Sequence, residues 1–320
     1  FIRHFPSVLL TYNMLLYCAS AAVHGHSVDN QERDSDGSFR AKDYEHYGDS
    51  GHNSEFDHEA ILGSVREAEK YDKLTPEESK RRLAQLLPKM DLNGDQEVDR
   101  MELKNWILKS FINLSREEAQ ERLMEADEDR DGAVTWQEYL HDAFGVDSEA
   151  DVGPDDAGDT EEKAMWAVAD ANSDGILELE EFQVFTNPEE HADMHQFLIN
   201  QTLREKDTNM DGRIDFSEYI GERGNQQDNR WLISEKDKFD NDLDLNRDGA
   251  IDLAEIHTWI IPNNDEIADE EVDHLFASAD DDHDDLLSFG EILLHHEVFV
   301  GSEATDYGSD LMGDHFDDEL

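Results

Sequence analysis

Apolar residues in this chain recur at helical spacing, in short segments separated by stretches that are almost entirely polar. Leu103, Trp106 and Ile107, for example, follow Glu102 at positions that lie on one face of a helix. Residues three or four apart share a helix face, so each segment predicts an amphipathic helix with one buried stripe. The pattern as a whole predicts an all-α chain built from helix, loop, helix units.

Six of the polar stretches follow one twelve-residue pattern. Each has side-chain oxygens at positions 1, 3, 5, 9 and 12, and position 12 is always Glu, which can bind a cation through both carboxylate oxygens. These loops begin at intervals of 36, 43, 37, 37 and 36 residues, at Asp91, Asp127, Asp170, Asp207, Asp244 and Asp280. This is the ligand spacing of the EF-hand, so the chain is predicted to bind up to six Ca²⁺ ions.

The candidate ligands are oxygen donors throughout, as a hard cation such as Ca²⁺ requires. We number the helix–loop–helix units as hands 1 to 6 in chain order, and their loops as loops 1 to 6. From loop 1 to loop 6, the candidate ligands are Asp91, Asn93, Asp95, Asp99, Glu102, Asp127, Asp129, Asp131, Thr135, Glu138, Asp170, Asn172, Asp174, Glu178, Glu181, Asp207, Asn209, Asp211, Asp215, Glu218, Asp244, Asn246, Asp248, Asp252, Glu255, Asp280, Asp282, Asp284, Ser288 and Glu291.

Position 6 of an EF-hand loop makes a sharp turn that glycine allows, and loops 2 to 5 have Gly there. Loop 1 has Gln96 instead and loop 6 has Asp285, each at a cost on the order of 1 kcal/mol. Pro88 also precedes loop 1 by three residues and is expected to bend the incoming helix. Site 1 is therefore expected to be the weakest, and the alternative interpretation of loop 1 is a degenerate loop without metal.

Position 8 is branched or apolar in all six loops, which is typical of EF-hands that pair through short two-stranded sheets. Sequence neighbours are expected to pair, which gives three pairs of hands after a disordered acidic leader. The predicted organisation is a signal peptide (1–23), a disordered leader (24–65), hands 1 and 2 (66–148), an acidic linker (149–159), hands 3 and 4 (160–224), hands 5 and 6 (225–300) and a C-terminal tail (301–320).

Helix starts are predicted where a capping residue precedes Glu by three positions. Thr75-Pro76-Glu77-Glu78 has this form, with Pro at the first helical position. Ser115-Arg116-Glu117-Glu118 repeats it without Pro and is expected to open the helix that enters loop 2.

The net charge narrows the choice of partners. The chain carries 81 acidic against 26 basic residues, a formal net charge of −55. Nucleic acid and anionic membrane surfaces would be repelled, so calcium and other cations are the expected counter-charge. Six calcium ions would neutralise only about 12 of these charges, so diffuse binding of further cations is also expected.

The first residues resemble a secretory signal, with an apolar stretch from Ser7 to Tyr17 and small residues at Ala19-Ser20-Ala21. The alternative is a buried N-terminal helix. The only cysteine, Cys18, lies within this segment, so the mature chain is expected to have no disulfide and no transmembrane segment.

The sequence also contains two glycosylation sequons and a pair of adjacent histidines. Asn113 and Asn200 begin glycosylation sequons, which are either modified or chance occurrences. Asn113 is the better candidate, because it is expected in the turn before a helix. His295 and His296 invite a zinc interpretation, but adjacent residues point in different directions on a helix, so zinc is not expected there.

Three segments resemble the reticulocalbin and calumenin family of six-EF-hand proteins. Phe56–Gly63 is similar to the segment before that family's first hand, Glu218–Gly221 to the exit of its fourth hand, and Phe299–Gly308 to its C-terminal block. Asp318-Glu319-Leu320 is similar to the end of its retrieval signal, although Asp317 and Asp318 replace the usual His or basic residue.

The resemblance implies a low-affinity calcium-binding protein of the endoplasmic reticulum lumen, with partial secretion. Such a protein buffers Ca²⁺, binds secretory-pathway proteins when calcium is bound, and engages a retrieval receptor through its tail. The alternative is a lumenal or secreted calmodulin-like sensor, which the few methionines outside the signal, loops and tail disfavour. An enzyme is not expected, since no HExxH, GxSxG, P-loop or kinase signature is present.

Overall fold

The structure is a computed structural model that describes residues 33–34, 36–44, 46–48, 51–146, 158–225 and 227–302. The predicted signal peptide, almost all of the C-terminal tail and most of the acidic linker lie outside the described residues. The described part is helical with only short two-stranded sheets, so the predicted all-α class is confirmed. None of the helices in these ranges is both long and apolar enough to cross a membrane.

The helices connect through short loops, two 3₁₀ turns (Pro188–Glu190 and Gly221–Asn225) and one π-helical turn (Phe239–Leu243). The helices are α1 (Ser54–Leu62), α2 (Val65–Asp72), α3 (Pro76–Met90), α4 (Arg100–Ala126), α5 (Trp136–Phe144), α6 (Gly158–Ala169), α7 (Leu179–Thr186), α8 (Ala192–Lys206), α9 (Phe216–Ile220), α10 (Asn229–Lys238), α11 (Leu253–Ile260), α12 (Asn264–Ala279), α13 (Phe289–Leu294) and α14 (His296–Val300). The strands are β1 (Tyr47–Gly48), β2 (Gly51–His52), β3 (Glu97–Val98), β4 (Ala133–Thr135), β5 (Ile176–Glu178), β6 (Ile214–Asp215), β7 (Ala250–Ile251) and β8 (Leu287–Ser288).

The position-8 residues do pair across two-stranded sheets, but not between the predicted neighbours. Loop 1 pairs with loop 6 through β3 and β8, loop 2 with loop 3 through β4 and β5, and loop 4 with loop 5 through β6 and β7. In each sheet the two position-8 residues are direct partners: Val98 with Leu287, Val134 with Leu177, and Ile214 with Ile251. Three pairs of hands therefore form, and the expected pairing of 1 with 2, 3 with 4 and 5 with 6 is wrong.

The physical reason is the continuity of α4, which leaves loop 1 and enters loop 2 as a single helix of 27 residues. A helix of this length spans about 40 Å, so loops 1 and 2 lie at its opposite ends, out of reach of each other's strands. The predicted helix start at Ser115 is therefore wrong. The Ser115 hydroxyl donates to the Phe111 carbonyl oxygen at 3.1 Å, within the helix, rather than capping a new one.

The polar stretch interpreted as a linker between pairs, residues 149–159, lies between two hands that pair with each other. It falls between α5 and α6, in the part of the chain that connects loops 2 and 3. This stretch therefore connects the two hands of one pair and does not separate two pairs.

Each pair of hands has its own hydrophobic core. The core of hands 1 and 6 includes Leu83, Leu103 and Phe299, together with residues of α1 and α2. Hands 2 and 3 enclose an aromatic group in which Tyr139 and Trp166 both contact Phe185, with ring centroids 5.0 and 5.2 Å away. In hands 4 and 5 the corresponding group is Tyr219, Phe239 and Trp259. Aromatic packing of this kind contributes large buried areas to small cores.

The described part of the predicted disordered leader has defined packing, which shifts the start of the folded region towards the N-terminus. Phe39 is buried against hands 4 and 5, and its backbone N–H donates to the Ile260 carbonyl at 3.0 Å. Lys42 forms an ion pair with Glu190 near hand 3 at 2.6 Å. Residues 24–32, 35, 45 and 49–50 of the predicted leader lie outside the described residues.

Asp36 is a second anchor of this segment. It forms an ion pair with Lys238 of α10, with Nζ and Oδ2 2.6 Å apart. Burial alone would raise the pKa of Asp36, but hydrogen bonds from Lys238 and Ser38 outweigh it and lower the pKa to about 2. The carboxylate is thus held charged, and it fixes the segment to hands 4 and 5.

The corrected pairing predicts which loops can be cross-linked. With Cys18 replaced by Ser, Val98→Cys and Leu287→Cys introduced together should form a disulfide under mild oxidation, because directly opposed residues of an antiparallel pair have Cα atoms about 4.5–5.5 Å apart. Peptide mass spectrometry would detect the link. Val98→Cys with Val134→Cys is the control for the neighbour pairing and should not cross-link. A cross-link in the protein with Val98→Cys and Val134→Cys, and none in the protein with Val98→Cys and Leu287→Cys, would contradict the structure.

Candidate calcium sites

In every loop, the residues predicted to bind calcium at positions 9 and 12 also start the helix that follows. The position-9 residue is the N-cap and Glu at position 12 is N3, and the two form a reciprocal capping box in all six loops. In loop 1, Glu102 N–H donates to Asp99 at 2.8 Å, and Asp99 N–H donates to Glu102 at 3.1 Å. One local sequence rule thus sets both the helix start and the ligand positions.

The other oxygen of the position-12 Glu reaches back to the start of the loop. Glu102 Oε1 accepts from the N–H groups of Leu92 and Asn93 at 2.9 and 3.1 Å. Equivalent hydrogen bonds reach Glu181, Glu218, Glu255 and Glu291. The fold therefore brings position 12 beside positions 2, 3 and 9, so its carboxylate closes the loop from one side.

The position-1 Asp is surrounded by backbone donors from the middle of its loop. In loop 5, Asp244 is almost fully buried and accepts from Asp248 N–H at 3.0 Å and Gly249 N–H at 2.8 Å. The side chains at positions 3 and 5 accept from the backbone two residues onward, as Asn246 Oδ1 does from Asp248 N–H at 2.9 Å. Backbone N–H groups of the loop thus converge on its own carboxylates.

The donor set fits a hard divalent cation. Carboxylate oxygens of Asp127, Asp129 and Asp131 lie within 4.8 Å of one another in loop 2, as do those of Asp280, Asp282 and Glu291 in loop 6. In loop 2, burial and the charge of Asp131 raise the pKa of Asp129. In loop 6, Asp284 is the largest cause of the raised pKa of Asp282. A bound Ca²⁺ would relieve this crowding of like charges.

Two loops have a hydroxyl at position 9, and it contacts position 12 directly. Thr135 donates to Glu138 and Ser288 to Glu291, both at 2.7 Å. In EF-hands position 9 often acts through a water molecule, so a hydroxyl that orients the neighbouring carboxylate is compatible with calcium binding.

The loops contain a second left-handed position that the sequence pattern did not reveal. Position 4 has positive φ in all six loops, as does position 6, and position 4 is glycine only in loop 1. The residues at position 4 are Gly94, Arg130, Ser173, Met210, Arg247 and His283.

This finding changes the expected order of the sites. Loops 2 to 5 each have one non-glycine residue in the left-handed region, at position 4. Loop 1 also has one, because Gly94 at position 4 offsets Gln96 at position 6, whereas loop 6 has two, His283 and Asp285. On backbone conformation, loop 6 carries the largest cost and loop 1 matches the others. Pro88 does not end the helix that enters loop 1, because it lies inside α3, which continues to Met90.

Asp285 has a compensating contact across the pair. Its carboxylate accepts from Arg100, at position 10 of loop 1, with Nε and Oδ1 2.6 Å apart, and Arg100 also contacts Asp273 of α12. Arg213 of loop 4 contacts Asp248 of loop 5 at 2.6 Å in a similar way. Such exposed ion pairs contribute little stability, but they select which loops can lie side by side.

The structure also describes the candidate zinc ligands and the candidate glycosylation sites. His295 lies 3.1 Å from Asp281, whereas His296 is buried and contacts Glu297, so adjacent imidazoles do point apart as expected. Asn113 and Asn200 are both exposed on helices, α4 and α8. Asn113 is therefore not in a turn before a helix, and glycosylation of either residue stays a prediction.

Comparisons with known proteins identify the EF-hand loops, although the domain-pair model spans loops 1 and 2, which do not pair with each other in this structure. The EF hand family matches residues 167–186, 199–220 and 241–260, and the EF-hand domain pair matches residues 94–145. Reticulocalbin-2 of Mus musculus is 37% identical over 290 residues, which cover 86% of this chain and 90% of that protein. Reticulocalbin-2 of Crotalus adamanteus is 36% identical, with coverage of 81% and 89%. Reticulocalbin-3 of Mus musculus is 35% identical, with coverage of 85% and 86%.

The role of position 4 in loop 1 can be tested with one methyl group. An added Cβ at Gly94 would meet no heavy atom within 4 Å, so Gly94→Ala introduces only the left-handed backbone cost of about 1 kcal/mol, or roughly a five-fold loss of calcium affinity. The calcium affinity of loop 1 would be measured as the calcium concentration at which the Val98 amide resonance is half shifted.

The matched control is Gly290→Ala, a glycine of loop 6 whose φ is not positive and whose Cβ would make only an ordinary contact. It should not weaken the response of the Leu287 amide, because alanine is also the better helix former at that position. Equal losses in both variants would show that the left-handed position is not the cause.

Proposed function

This chain belongs to the reticulocalbin family of EF-hand proteins, and on that premise we propose that it is a low-affinity calcium buffer of the secretory-pathway lumen. It binds Ca²⁺, and we assign up to six ions to the six loops described above. We further propose that it binds secretory-pathway proteins in a calcium-dependent way.

The observation that carries the proposal is the repeated closure of each loop by its position-12 Glu. Six loops share this geometry, and in loops 2 and 6 it brings three carboxylates within 4.8 Å of one another. The net charge of −55 adds repulsion between sites that only a high cation concentration would balance. Weak sites suffice in a calcium-rich compartment, so dissociation constants on the order of 10⁻⁴ to 10⁻³ M are expected.

Calcium binding is expected to be coupled to folding. The core of each pair lies directly under its two loops, since the position-8 residues Val98, Leu177 and Ile251 are fully buried in these cores. When carboxylates repel within a loop, the strand beneath it is strained and the core is weakened. Binding of Ca²⁺ removes the repulsion, so the free energy of binding becomes free energy of folding.

A calcium titration of the mature chain tests this proposal. Small-angle scattering should show a larger radius of gyration in chelator than in millimolar calcium, and circular dichroism should show helix content rising with it. Calorimetry should give dissociation constants near 10⁻⁴ to 10⁻³ M. Glu255→Gln, which removes the position-12 carboxylate of loop 5, should reduce the response of loops 4 and 5, because these two loops are paired.

Glu97→Gln is the matched control, because the side chain at position 7 is not a ligand and only its carbonyl is used. It should leave the titration unchanged. Several sites near or below micromolar would contradict the buffer and favour the calmodulin-like sensor. A radius of gyration and helix content that do not respond to calcium would contradict the coupling.

Lumenal residence rests on the family and on the signal-like segment at residues 1–23. In cells that express the chain, it should be protected from added protease in intact microsomes and digested once detergent opens them. Deletion of residues 1–23 should make it accessible without detergent. Equal digestion of both forms before detergent would contradict a lumenal location.

A further inference from the structure

A cluster of histidine and acidic side chains lies outside the six loops, where the N-terminal segment meets hand 6. His46 precedes β1, His52 lies on β2, and Asp57 lies on α1. Glu271 and His274 lie one turn apart on α12. Residues far apart in the sequence thus converge between two short strands and two helices.

The imidazole nitrogens are directed at one carboxylate. Nε2 of His46 lies 2.8 Å from Asp57 Oδ1, while Nε2 of His52 and Nε2 of His274 lie 3.1 and 3.4 Å from Asp57 Oδ2. Ligand atoms of His46, His52 and Asp57 all lie within 4.8 Å of one another. For metal–ligand bonds of about 2.0–2.1 Å, adjacent donors in a tetrahedral site are about 3.3 Å apart, close to these separations.

The carboxylates of the cluster are buried, and the three imidazoles are their neighbours. Asp57 has no exposed surface and Glu271 is 1% exposed. Apart from their contacts with the imidazoles, the carboxylate oxygens of Asp57 and Glu271 accept no hydrogen bond from the described residues. Buried carboxylates are normally paired or bound to a metal, so this arrangement calls for a cation.

We propose that His46, His52, His274 and Asp57 bind one transition-metal ion of the zinc class, separate from the calcium sites. Three imidazoles and one carboxylate are a donor set typical of Zn²⁺, whereas Ca²⁺ takes oxygen donors. Glu271 lies 3.8 Å from His46 Nε2, beside the proposed site, and is not counted among the ligands.

The ion would fix the N-terminal segment to the last hand. His46, His52 and Asp57 precede or begin α1, whereas His274 lies on α12, whose residues form part of the core of hands 1 and 6. An ion bonded to ligands from both the segment and α12 would hold the segment against that core. Metal binding should therefore stabilise hands 1 and 6 more than the other pairs.

The test uses the mature protein in saturating calcium, which occupies the oxygen sites first. Co²⁺ added as a spectroscopic probe should give the visible absorption of a tetrahedral site at one equivalent, and Zn²⁺ should displace it. His52→Ala should weaken binding of Zn²⁺ at least about 100-fold, since loss of an outer partner of a metal ligand alone costs up to that much. His52 is about one-third exposed, so its replacement does not open the core.

His141→Ala is the matched control, because His141 is an exposed histidine of hand 2, remote from the cluster in sequence and core. It should bind Co²⁺ and Zn²⁺ like the unmodified protein. The absence of tetrahedral Co²⁺ absorption in the unmodified protein would overturn the proposal without any variant. Zinc affinity that survives both His52→Ala and His274→Ala would do so as well.

A second measurement places the ion. Hydrogen exchange of residues 51–62 and of α12 should slow when Zn²⁺ is added to the calcium-loaded protein, and exchange in hands 2 to 5 should not change. Uniform slowing, or slowing confined to the six loops, would mean that zinc binds the calcium sites and that this cluster is a set of ion pairs.

Discussion

The unbroken helix α4 is the constraint on which the arrangement of the hands depends. A strand of an EF-hand loop is only two or three residues long and is stable only when it pairs with a second loop. Since α4 holds loops 1 and 2 apart by its own length, loop 1 must find a partner elsewhere, and loop 6 occupies that place. Loops 2 and 3 pair with each other, as do loops 4 and 5.

The sequence predicts those features that are decided within about twelve residues. The ligands at positions 9 and 12 are also the capping box of the next helix, so one pattern identified the loops, the helix starts and the candidate sites together. Thr75 and Ser115 show where such local signals stop being sufficient. Both resemble helix caps, but only Thr75 precedes a proline, whereas Ser115 bonds to Phe111 one turn earlier and the helix continues through it.

Long-range features could not be predicted from one sequence. The partner of Val98 is Leu287, and no local pattern distinguishes it from the position-8 residues of the other loops. Position 4 of the loops was also missed, because four different side chains and one glycine occupy the same left-handed conformation and leave no compositional signal. The histidine cluster, like the pairing of Val98 with Leu287, depends on long-range contacts. His46 and His274 meet only after the first and last hands have paired.

The N-terminal and C-terminal segments that resemble the reticulocalbin family are neighbours in the structure. His58, in the first segment, lies with Nε2 3.0 Å from the Glu297 carbonyl oxygen, just before the second. Gly301 has φ 62°, and a Cβ there would lie 2.6 Å from the His58 ring and 2.4 Å from Asp72. Only glycine fits, which gives a physical reason why these two segments are specific in sequence.

The pairing of the first hand with the last has a consequence for biosynthesis. The strands of loops 1 and 6 are separated by about 190 residues, and ribosomes add about 5–20 residues per second. The first hand therefore emerges roughly 10–40 seconds before its partner exists. Hands 2 and 3, and then hands 4 and 5, can fold during synthesis, while hand 1 waits with an apolar face uncovered. Of the three pairs, the one that joins the first and the sixth hands is therefore the last that can form during synthesis.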